Sequence, residues 1–344
     1  MPSAGSRKRR ALVALLLLVP VAGGLALALT PPPLPPGAYR RVANRIAVAS
    51  VAFTPDSLRL ATVGWDGRLR FLDCATGRIV EDRPLLRVPQ YDIAVAPDGG
   101  EVTAASVHFP VARWSVSDKT FAARPLWPAT VAGTVRYSPT GRLLAASGMR
   151  NATVVVWDTR TGKPRFALTG HRNYVSGLAF SPDGQSLATT DAHGVHLFDT
   201  ENGKKLRSWD ALYPNFVAFS PAGDRIAFGG PLTDVRIATA DGKGAPTVIP
   251  ETEVHRAVFA PDGNTLIIAR DSEVLACDLS GRIRRNIAPN PKPPTFLMRI
   301  LPPLRRLQRL PIAALAFSPN GRYFAFAFGE NVVVIPTGAL KLNP

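Results

Sequence analysis

A short pattern that joins the end of an apolar stretch to a tight turn occurs seven times in the chain. In the copy FSPDG at residues 180–184, Pro182 fixes φ at the second position of the turn and Gly184 closes the turn without steric cost. Two further short apolar stretches follow each copy. The seven copies are AFTPDS (52–57), VAPDGG (95–100), YSPTGR (137–142), FSPDGQ (180–185), FSPAGD (219–224), FAPDGN (259–264) and FSPNGR (317–322).

The spacing between these copies indicates the fold class. From one turn proline to the next the distances are 42, 42, 43, 39, 40 and 58 residues. Each unit is long enough for four short antiparallel strands, and one such sheet cannot bury its own faces. A repeat period of about 40 residues is typical of propellers and solenoids. We therefore predict an all-β fold, a seven-bladed β-propeller of four-stranded antiparallel blades over residues 38–344, preceded by one N-terminal hydrophobic helix.

Closure of the ring requires an outer strand for the last blade. Residues 39–43 lie 14 to 10 positions before Phe53, the same offset as residues 166–170 have before Phe180 in the fourth repeat. We therefore predict that residues 39–43 form this outer strand. The C-terminal residues 339–342 are the alternative for the same sheet edge.

The repeats resemble WD40 repeats, over almost all of residues 38–344. The fourth repeat opens with Gly-His at 170–171 and has Phe198 where the family has tryptophan, while the third keeps the Trp157-Asp158 dipeptide. Other repeats keep less of the pattern, and those of blades 5 and 7 also resemble the repeats of TolB-like propellers. The resemblance implies a protein-interaction fold.

The same resemblance implies a structural role for a few polar residues of the fourth repeat. The hydrogen-bonded tetrad of the family falls on His171, Thr189 and Asp191, and Phe198 lacks the indole donor of the fourth member. His193 and His196 also lie nearby in the sequence, but a turn position for one and a strand position for the other favour a structural cluster. We expect no metal and no cofactor here.

The N-terminus has the features of a membrane or export segment. A basic stretch at residues 1–10 precedes residues 11–29, which carry no charge. As a helix this segment would span roughly 28 Å, close to the hydrocarbon thickness of a bilayer. Two interpretations remain open, an uncleaved transmembrane signal anchor or a signal peptide cleaved near Ala28. Both place the N-terminus in the cytoplasm and the rest outside it, with residues 30–37 as a Pro-rich linker.

The formal charge of +16 does not indicate a nucleic-acid-binding surface. Twelve of the 41 basic residues lie in residues 1–37 and 282–310, two segments without a single acidic residue. The rest of the sequence contains 29 basic and 25 acidic residues, so its positive and negative charges almost cancel. We therefore expect no nucleic-acid partner.

One insertion breaks the repeat, at residues 289–311, and accounts for the spacing of 58 residues. It is rich in proline and apolar residues, and all of its charged residues are basic. The residues that we assign to partner binding are Arg299, Leu304, Arg305, Arg306, Leu307 and Arg309. In WD40-like propellers such a connection lies on the top face, where partners dock. A cap on the propeller itself, a protein-binding segment and a lipid-binding segment are the three alternatives.

Catalytic motifs are missing from the sequence. It contains no P-loop, GxSxG, HExxH or paired CxxC pattern. The seven repeats and the insertion account for residues 38–344 and leave no room there for a separate catalytic domain. We therefore predict a non-enzymatic, monomeric interaction scaffold, membrane-tethered or exported, that binds protein partners through the top face. The alternative is an exported propeller enzyme or small-ligand binder with a site in the central channel. Such a site requires converging polar groups, and the inner strands read mostly as Val, Ala and Phe.

Overall fold

Seven four-stranded antiparallel sheets make up the part of the chain that the computed structural model describes. The described residues are 34, 36–43, 46–86, 88–106, 108–118, 124–126, 131–148, 152–251, 253–270, 273–288 and 312–340. The first strand of each sheet packs against the first strands of the two neighbouring sheets, and the last sheet packs against the first. The sheets therefore form a closed ring, and the predicted seven-bladed β-propeller is confirmed.

The first four blades run in chain order. Blade 1 consists of β2 (Val48–Phe53), β3 (Arg59–Gly64), β4 (Arg68–Asp73) and β5 (Ile79–Pro84). Blade 2 consists of β6 (Asp92–Val95), β7 (Glu101–Ala105), β8 (Ala112–Ser115) and β9 (Arg124–Pro125). Blade 3 consists of β10 (Ala132–Tyr137), β11 (Leu143–Gly148), β12 (Val154–Asp158) and β13 (Pro164–Leu168). Blade 4 consists of β14 (Gly177–Phe180), β15 (Ser186–Asp191), β16 (Gly194–Asp199) and β17 (Lys205–Asp210).

The last three blades complete the ring. Blade 5 consists of β18 (Phe216–Phe219), β19 (Arg225–Gly230), β20 (Thr233–Thr239) and β21 (Thr247–Ile249). Blade 6 consists of β22 (Val254–Phe259), β23 (Thr265–Arg270), β24 (Glu273–Asp278) and β25 (Ile283–Ala288). Blade 7 consists of β26 (Ile312–Phe317), β27 (Tyr323–Phe328), β28 (Asn331–Pro336) and the N-terminal strand β1 (Tyr39–Val42). One helical turn, α1 (Thr337–Leu340), follows β28.

The N-terminal strand closes the ring, as predicted. β1 pairs antiparallel with β28, with Tyr39 opposite Val334 and Val42 opposite Asn331. The Tyr39 hydroxyl donates a hydrogen bond to the carbonyl oxygen of Asp73 at 3.1 Å, so the strand also contacts blade 1. The C-terminal alternative is wrong for the part of it that is described, because the chain forms α1 there instead of a strand.

The hydrophobic core lies between neighbouring blades. Phe71 of blade 1 packs in one cluster with Trp114 of blade 2, and Trp157 of blade 3 packs in another cluster with Ala105 of blade 2. Both faces of each middle strand are covered in this way. This explains why β12 reads Val-Val-Val-Trp instead of alternating apolar and polar residues.

The repeated turns are held by their own side chains and by the neighbouring blade. The Ser181 hydroxyl donates to Asp183 Oδ1 at 2.5 Å and accepts from the Ser186 N–H at 2.9 Å. Gly184 has φ of +71°, and a Cβ there would lie 3.5 Å from Cδ of Pro139 in the preceding blade. The same contact between a turn glycine and the preceding proline recurs at Gly99–Pro55, Gly141–Pro97, Gly223–Pro182, Gly263–Pro221 and Gly321–Pro261.

Two predicted segments lie outside the described residues. They are residues 1–33, which include the hydrophobic segment 11–29, and the insertion 289–311. Within the described ranges, no helix has the length and apolar character needed to cross a membrane.

Candidate functional site

The connections of the propeller separate into two faces. The repeated proline turns all join the first strand of a blade to its second, and we call the face that carries them the bottom face. The connections from second to third strand, and from each outer strand to the next inner strand, lie at the opposite ends of the strands. These connections form the top face.

Large apolar side chains are exposed mainly on the top face. Among the described residues, 13 large hydrophobic side chains are exposed to solvent. Four of them lie on outer strands, and the bottom face has Leu58 alone among these 13. The eight on top-face connections are Ile46, Trp65, Tyr91, Phe109, Tyr174, Leu212, Tyr213 and Leu232.

Three of these residues lie where blades 4 and 5 meet, and we call Leu212, Tyr213 and Leu232 the blade 4–5 apolar cluster. Tyr213 has a left-handed backbone with φ of +50°. A Cβ on Gly230, at the end of β19, would lie 2.4 Å from the Tyr213 carbonyl oxygen. The two loops are therefore in close contact, and a bulky aromatic side chain is held exposed on a strained backbone. Such strain persists only where the surrounding structure imposes it.

Of the residues of the predicted tetrad, His171 and Thr189 are hydrogen-bonded to each other. His171 Nε2 lies 2.8 Å from Thr189 Oγ1, and His171 Nδ1 lies 3.1 Å from the Ala152 carbonyl oxygen. Because a carbonyl oxygen only accepts, Nδ1 carries the proton and Nε2 accepts from the threonine hydroxyl. Burial, together with the neighbouring His196, lowers the pKa of His171 to about 4. The imidazole is therefore neutral at pH 7.

The side chain of Asp191 is hydrogen-bonded to a different histidine, His196. His196 Nε2 donates to Asp191 Oδ2 at 3.1 Å, and His196 Nδ1 lies 2.9 Å from Ser208 Oγ on the outer strand. The backbone N–H groups of Arg172, His193 and Gly194 also donate to this carboxylate, at 2.8 to 3.1 Å. Both ring nitrogens of His171 are thus bonded to other groups. A chain of hydrogen bonds runs instead from Asp191 on β15 through His196 on β16 to Ser208 on β17. Its contacts are those of a structural clasp.

The other predicted structural residues lie in the positions that their repeat implies. Phe198 contacts His171 with ring centroids 5.7 Å apart, where an indole would have donated a hydrogen bond. Trp157 is completely buried. Asp158 accepts a hydrogen bond from the Thr161 N–H at 2.9 Å, which lowers the pKa of this carboxyl.

The structure describes His193 and His196 but none of the residues predicted to bind a partner. Arg299, Leu304, Arg305, Arg306, Leu307 and Arg309 lie outside the described residues. His193 lies in the turn between β15 and β16, and His196 lies within β16, as expected from strand alternation. Across the described ranges, no group of three or more His, Cys, Asp or Glu side chains is arranged to hold a metal ion.

The central channel contains a buried carboxylate that sequence reasoning missed. Asp92, the first residue of β6, is 6% exposed and lines a cavity of about 510 Å³ between the inner strands. Its Oδ1 accepts from Ser50 Oγ (2.7 Å) and the Ile93 N–H (3.0 Å), and its Oδ2 accepts from Thr134 Oγ1 (2.5 Å), the Val135 N–H (3.1 Å) and Arg136 Nη1 (2.5 Å). Burial opposes ionisation, but Arg136 and these hydrogen bonds outweigh it and lower the pKa of Asp92. The carboxylate joins blades 1, 2 and 3.

Two arginines also line the channel, whose other lining residues are mostly small or apolar, as expected from the inner strands. Arg136 lies on β10 and Arg256 on β22. A signal was present in the sequence: five residues before each turn proline, the repeats carry mostly polar or charged residues instead of a constant apolar one. The seven residues are Ser50, Asp92, Thr134, Gly177, Phe216, Arg256 and Ala314.

Comparisons with known proteins agree with the ring of blades. The family model "WD domain, G-beta repeat" matches residues 43–73, 130–158 and 162–199. Coronin-7 of Bos taurus is 30% identical over 162 residues, which cover 47% of this chain and 14% of that protein. Pre-mRNA-processing factor 19 of Oryza sativa subsp. japonica is 32% identical over 108 residues, which cover 29% and 19% of the two chains. Nuclear distribution protein PAC1 of Mycosarcoma maydis is 52% identical over 42 residues, which cover 12% and 9%.

The matched stretches thus cover less than a fifth of each of these relatives. What the proteins share is the repeat. The matched ranges fall on blades 1, 3 and 4, and each of these blades has the same four-stranded topology as the other four. Three blades of this seven-bladed β-propeller therefore carry WD40 repeats.

Proposed function

We propose that this propeller is a non-enzymatic scaffold that binds protein partners through its top face. The observation that carries the proposal is the distribution of exposed large apolar side chains among the described residues. Eight of them lie on the connections of the top face, whereas the bottom face carries one, Leu58. Aromatic side chains are enriched in the cores of protein interfaces, and five of the eight are Trp, Tyr or Phe. Exposed apolar groups concentrated on one face mark an interaction surface.

The relatives support a platform role more than a shared activity. Their names refer to pre-mRNA processing in one case and to nuclear distribution in another. Because a propeller displays many loops on a rigid ring, one fold can carry different partners.

The insertion 289–311 is proposed to extend the same surface. It is connected to the C-terminal end of β25 and to the start of β26, and both of these ends lie on the top face. Its basic residues would then pair with acidic groups of the partner. Replacing Arg305, Arg306 and Arg309 with Glu should reduce partner recovery, and unchanged recovery would leave the insertion as a cap.

Residues 11–29 are proposed to tether the propeller to a membrane, with the propeller outside the cytoplasm. The support is the uncharged length of this segment and the basic residues before it. Because β1 enters the ring from the bottom face, such a tether is joined to the chain opposite the apolar loops. Membrane fractionation with intact-mass measurement tests this, since cleavage near Ala28 would release a shorter soluble chain.

A matched pair of variants tests the partner face. Leu232 on the top face and Leu58 on the bottom face are 65% and 64% exposed, so Leu232→Asp and Leu58→Asp make the same change at equal exposure. Proximity labelling in the native cells, followed by quantitative binding to the purified candidate, should show a partner that Leu232→Asp loses and Leu58→Asp keeps. Equal loss or equal retention in both variants would contradict the proposal.

A further inference from the structure

The central channel holds more positive than negative charge. Its described walls contribute two guanidinium groups, Arg136 and Arg256, and one carboxylate, Asp92. The inner strands around it are otherwise lined largely by small or apolar residues such as Ala and Val. The channel therefore contains one formal positive charge that the described wall residues leave uncompensated.

Asp92 forms an ion pair with Arg136 and not with Arg256. Its two oxygens accept the five hydrogen bonds described above, and Arg136 supplies one of them at 2.5 Å. Arg256 occupies the same repeat position as Asp92, but in blade 6, with blades 7 and 1 between them on the shorter path around the ring. The hydrogen bonds of the Asp92 carboxylate thus all go to residues of blades 1, 2 and 3.

Among the described residues, the acceptors that Arg256 contacts are uncharged backbone carbonyl groups. Its Nη1 donates to the carbonyl oxygens of His255 at 3.1 Å and of Asn215 at 3.4 Å. None of the described carboxylates lies within ion-pair distance of its guanidinium, and the side chain is exposed to the channel. Burial among the surrounding protein atoms lowers the pKa of Arg256, Arg136 acts in the same direction, and the charge of Asp92 opposes them.

An unsatisfied polar group lies beside Arg256. Asn215 also lines the channel, and its side-chain oxygen is buried without a hydrogen-bond partner among the described residues. A buried acceptor without a donor is costly, by about 1–3 kcal/mol in proteins. The oxygen is itself covered by protein, so the Asn215 side chain must turn towards the channel to meet a ligand hydroxyl that supplies the missing donor.

We infer that the central channel binds a small soluble oxyanion that carries a hydroxyl group, such as hydrogen phosphate or a hydroxycarboxylate, through Arg256 and the exposed edge of Arg136. A guanidinium is planar and presents several N–H donors to the oxygens of a phosphate or carboxylate. The ligand hydroxyl donates to Asn215. The cavity of about 510 Å³ has the size of a small-molecule site.

The test is titration calorimetry on the purified full chain at pH 7 and constant ionic strength. Inorganic phosphate, L-malate and succinate are the small-molecule probes, and acetyl-Gly-Asp-Gly-amide represents a carboxylate from a partner protein. We expect saturable binding of phosphate and malate, weaker binding of succinate because it lacks the hydroxyl, and no saturable binding of the peptide.

Two variants assign the site. Arg256→Gln should weaken phosphate and malate binding about tenfold or more, because it removes charge-assisted hydrogen bonds. The matched control Arg282→Gln removes the same charge from an exposed turn of the same blade and should bind as the wild type does. If Arg256→Gln does not fold, Arg256→Lys keeps the charge without the planar fork and should still weaken binding.

Several outcomes would overturn the inference. They are absence of saturable binding, equal weakening by the Arg282 variant, and wild-type affinity in both Arg256 variants. Binding of the peptide together with failure of phosphate and malate would assign the arginines to a partner side chain instead of a small molecule. None of these outcomes bears on Leu232, so the proposed partner face is tested separately.

Discussion

The backbone N–H of Asn320 donates a hydrogen bond to the Ser57 hydroxyl at 3.2 Å, and this contact joins the bottom turns of the last and first blades. Ser57 takes the place of the glycine that ends the turn in the other six repeats. It keeps the left-handed backbone of that glycine, with φ of +60°, and is 1% exposed. A strained residue thus supplies a polar contact at the ring closure.

Substitutions of Ser57 should separate the strain from the hydrogen bond. Ser57→Ala keeps the strain and loses the bond, so we expect the free energy of unfolding to fall by about 1 kcal/mol. Ser57→Gly loses the bond but relieves a left-handed conformation that costs roughly 1–2 kcal/mol, so its stability should stay close to that of the wild type. Urea denaturation measures both. Equal destabilisation by Ala and Gly would show that the backbone is not strained.

Gly230→Ala should disturb the blade 4–5 apolar cluster. The added Cβ would lie 2.4 Å from the backbone carbonyl oxygen of Tyr213, so one of the two loops must move. We expect a loss of stability of about 1–3 kcal/mol and weaker partner binding.

The control for this variant is Gly338→Ala. Apart from its chain neighbours and the backbone of α1 itself, no described atom lies within 4 Å of a Cβ at that position. Its stability should remain within about 0.5 kcal/mol of the wild type. If Gly230→Ala behaves in the same way, the close approach of the two loops does not restrict this position.

The ring could be predicted from the sequence because the period of the turns is a local property. Pro182 and Gly184 mark the end of a strand wherever the pair occurs. Six such pairs, together with Pro55 and Ser57 in the first repeat, recur along the chain. A closed ring is then the simplest way to cover every sheet. The outer strand β1 followed from its offset to Phe53 by the same logic.

The channel could not be predicted in this way because its contacts run between repeats. Asp92 bonds to Ser50 and Thr134, each 42 residues away at the same repeat position, and reading one repeat at a time hides such a row. The pairing of Asp191 with His196 was missed for another reason. The family pattern pointed to His171, whereas the hydrogen bond to Ser208 orients the ring of His196 towards Asp191.

His171 should make the propeller less stable in mild acid. The pKa of an unfolded histidine is about 6.5. In the folded protein, burial lowers the pKa of His171 to about 4. His196 and Lys205 also lower this pKa, whereas the charge of Asp191 raises it. Between these values the unfolded state binds a proton that the folded state does not. The free energy of unfolding should therefore fall as the pH drops from about 6.5 to about 4, by up to about 3 kcal/mol.

The measurement is urea denaturation between pH 7 and pH 4 of the wild type and of His171→Gln, which can still bond to Thr189 but does not titrate. The difference between the two should shrink as the pH falls, because only the wild type loses this contribution. A difference that is independent of pH would mean that His171 titrates alike in both states.

Asp92→Asn tests whether the carboxylate holds the first three blades together. A carboxamide offers one oxygen and one NH₂ group, whereas a backbone N–H donates to each oxygen of Asp92. The NH₂ group must therefore face the N–H of either Ile93 or Val135, and neither of these can accept. Arg136 also loses its ion pair. We expect the free energy of unfolding to fall by about 3 kcal/mol.

Asp98→Asn is the matched control, since it makes the same change in a bottom turn of the same blade. Its carboxylate accepts from the Gly100 N–H at 2.8 Å, and an amide oxygen can keep that bond. We therefore expect this variant to remain within about 0.5 kcal/mol of the wild type. The pH dependence gives a second check, because the lowered pKa of Asp92 stabilises the fold above the unfolded pKa of about 3.9. This stabilisation is lost as the pH falls through the folded pKa, so the difference between wild type and Asp92→Asn should narrow in strong acid, and a constant difference would contradict an ionised Asp92.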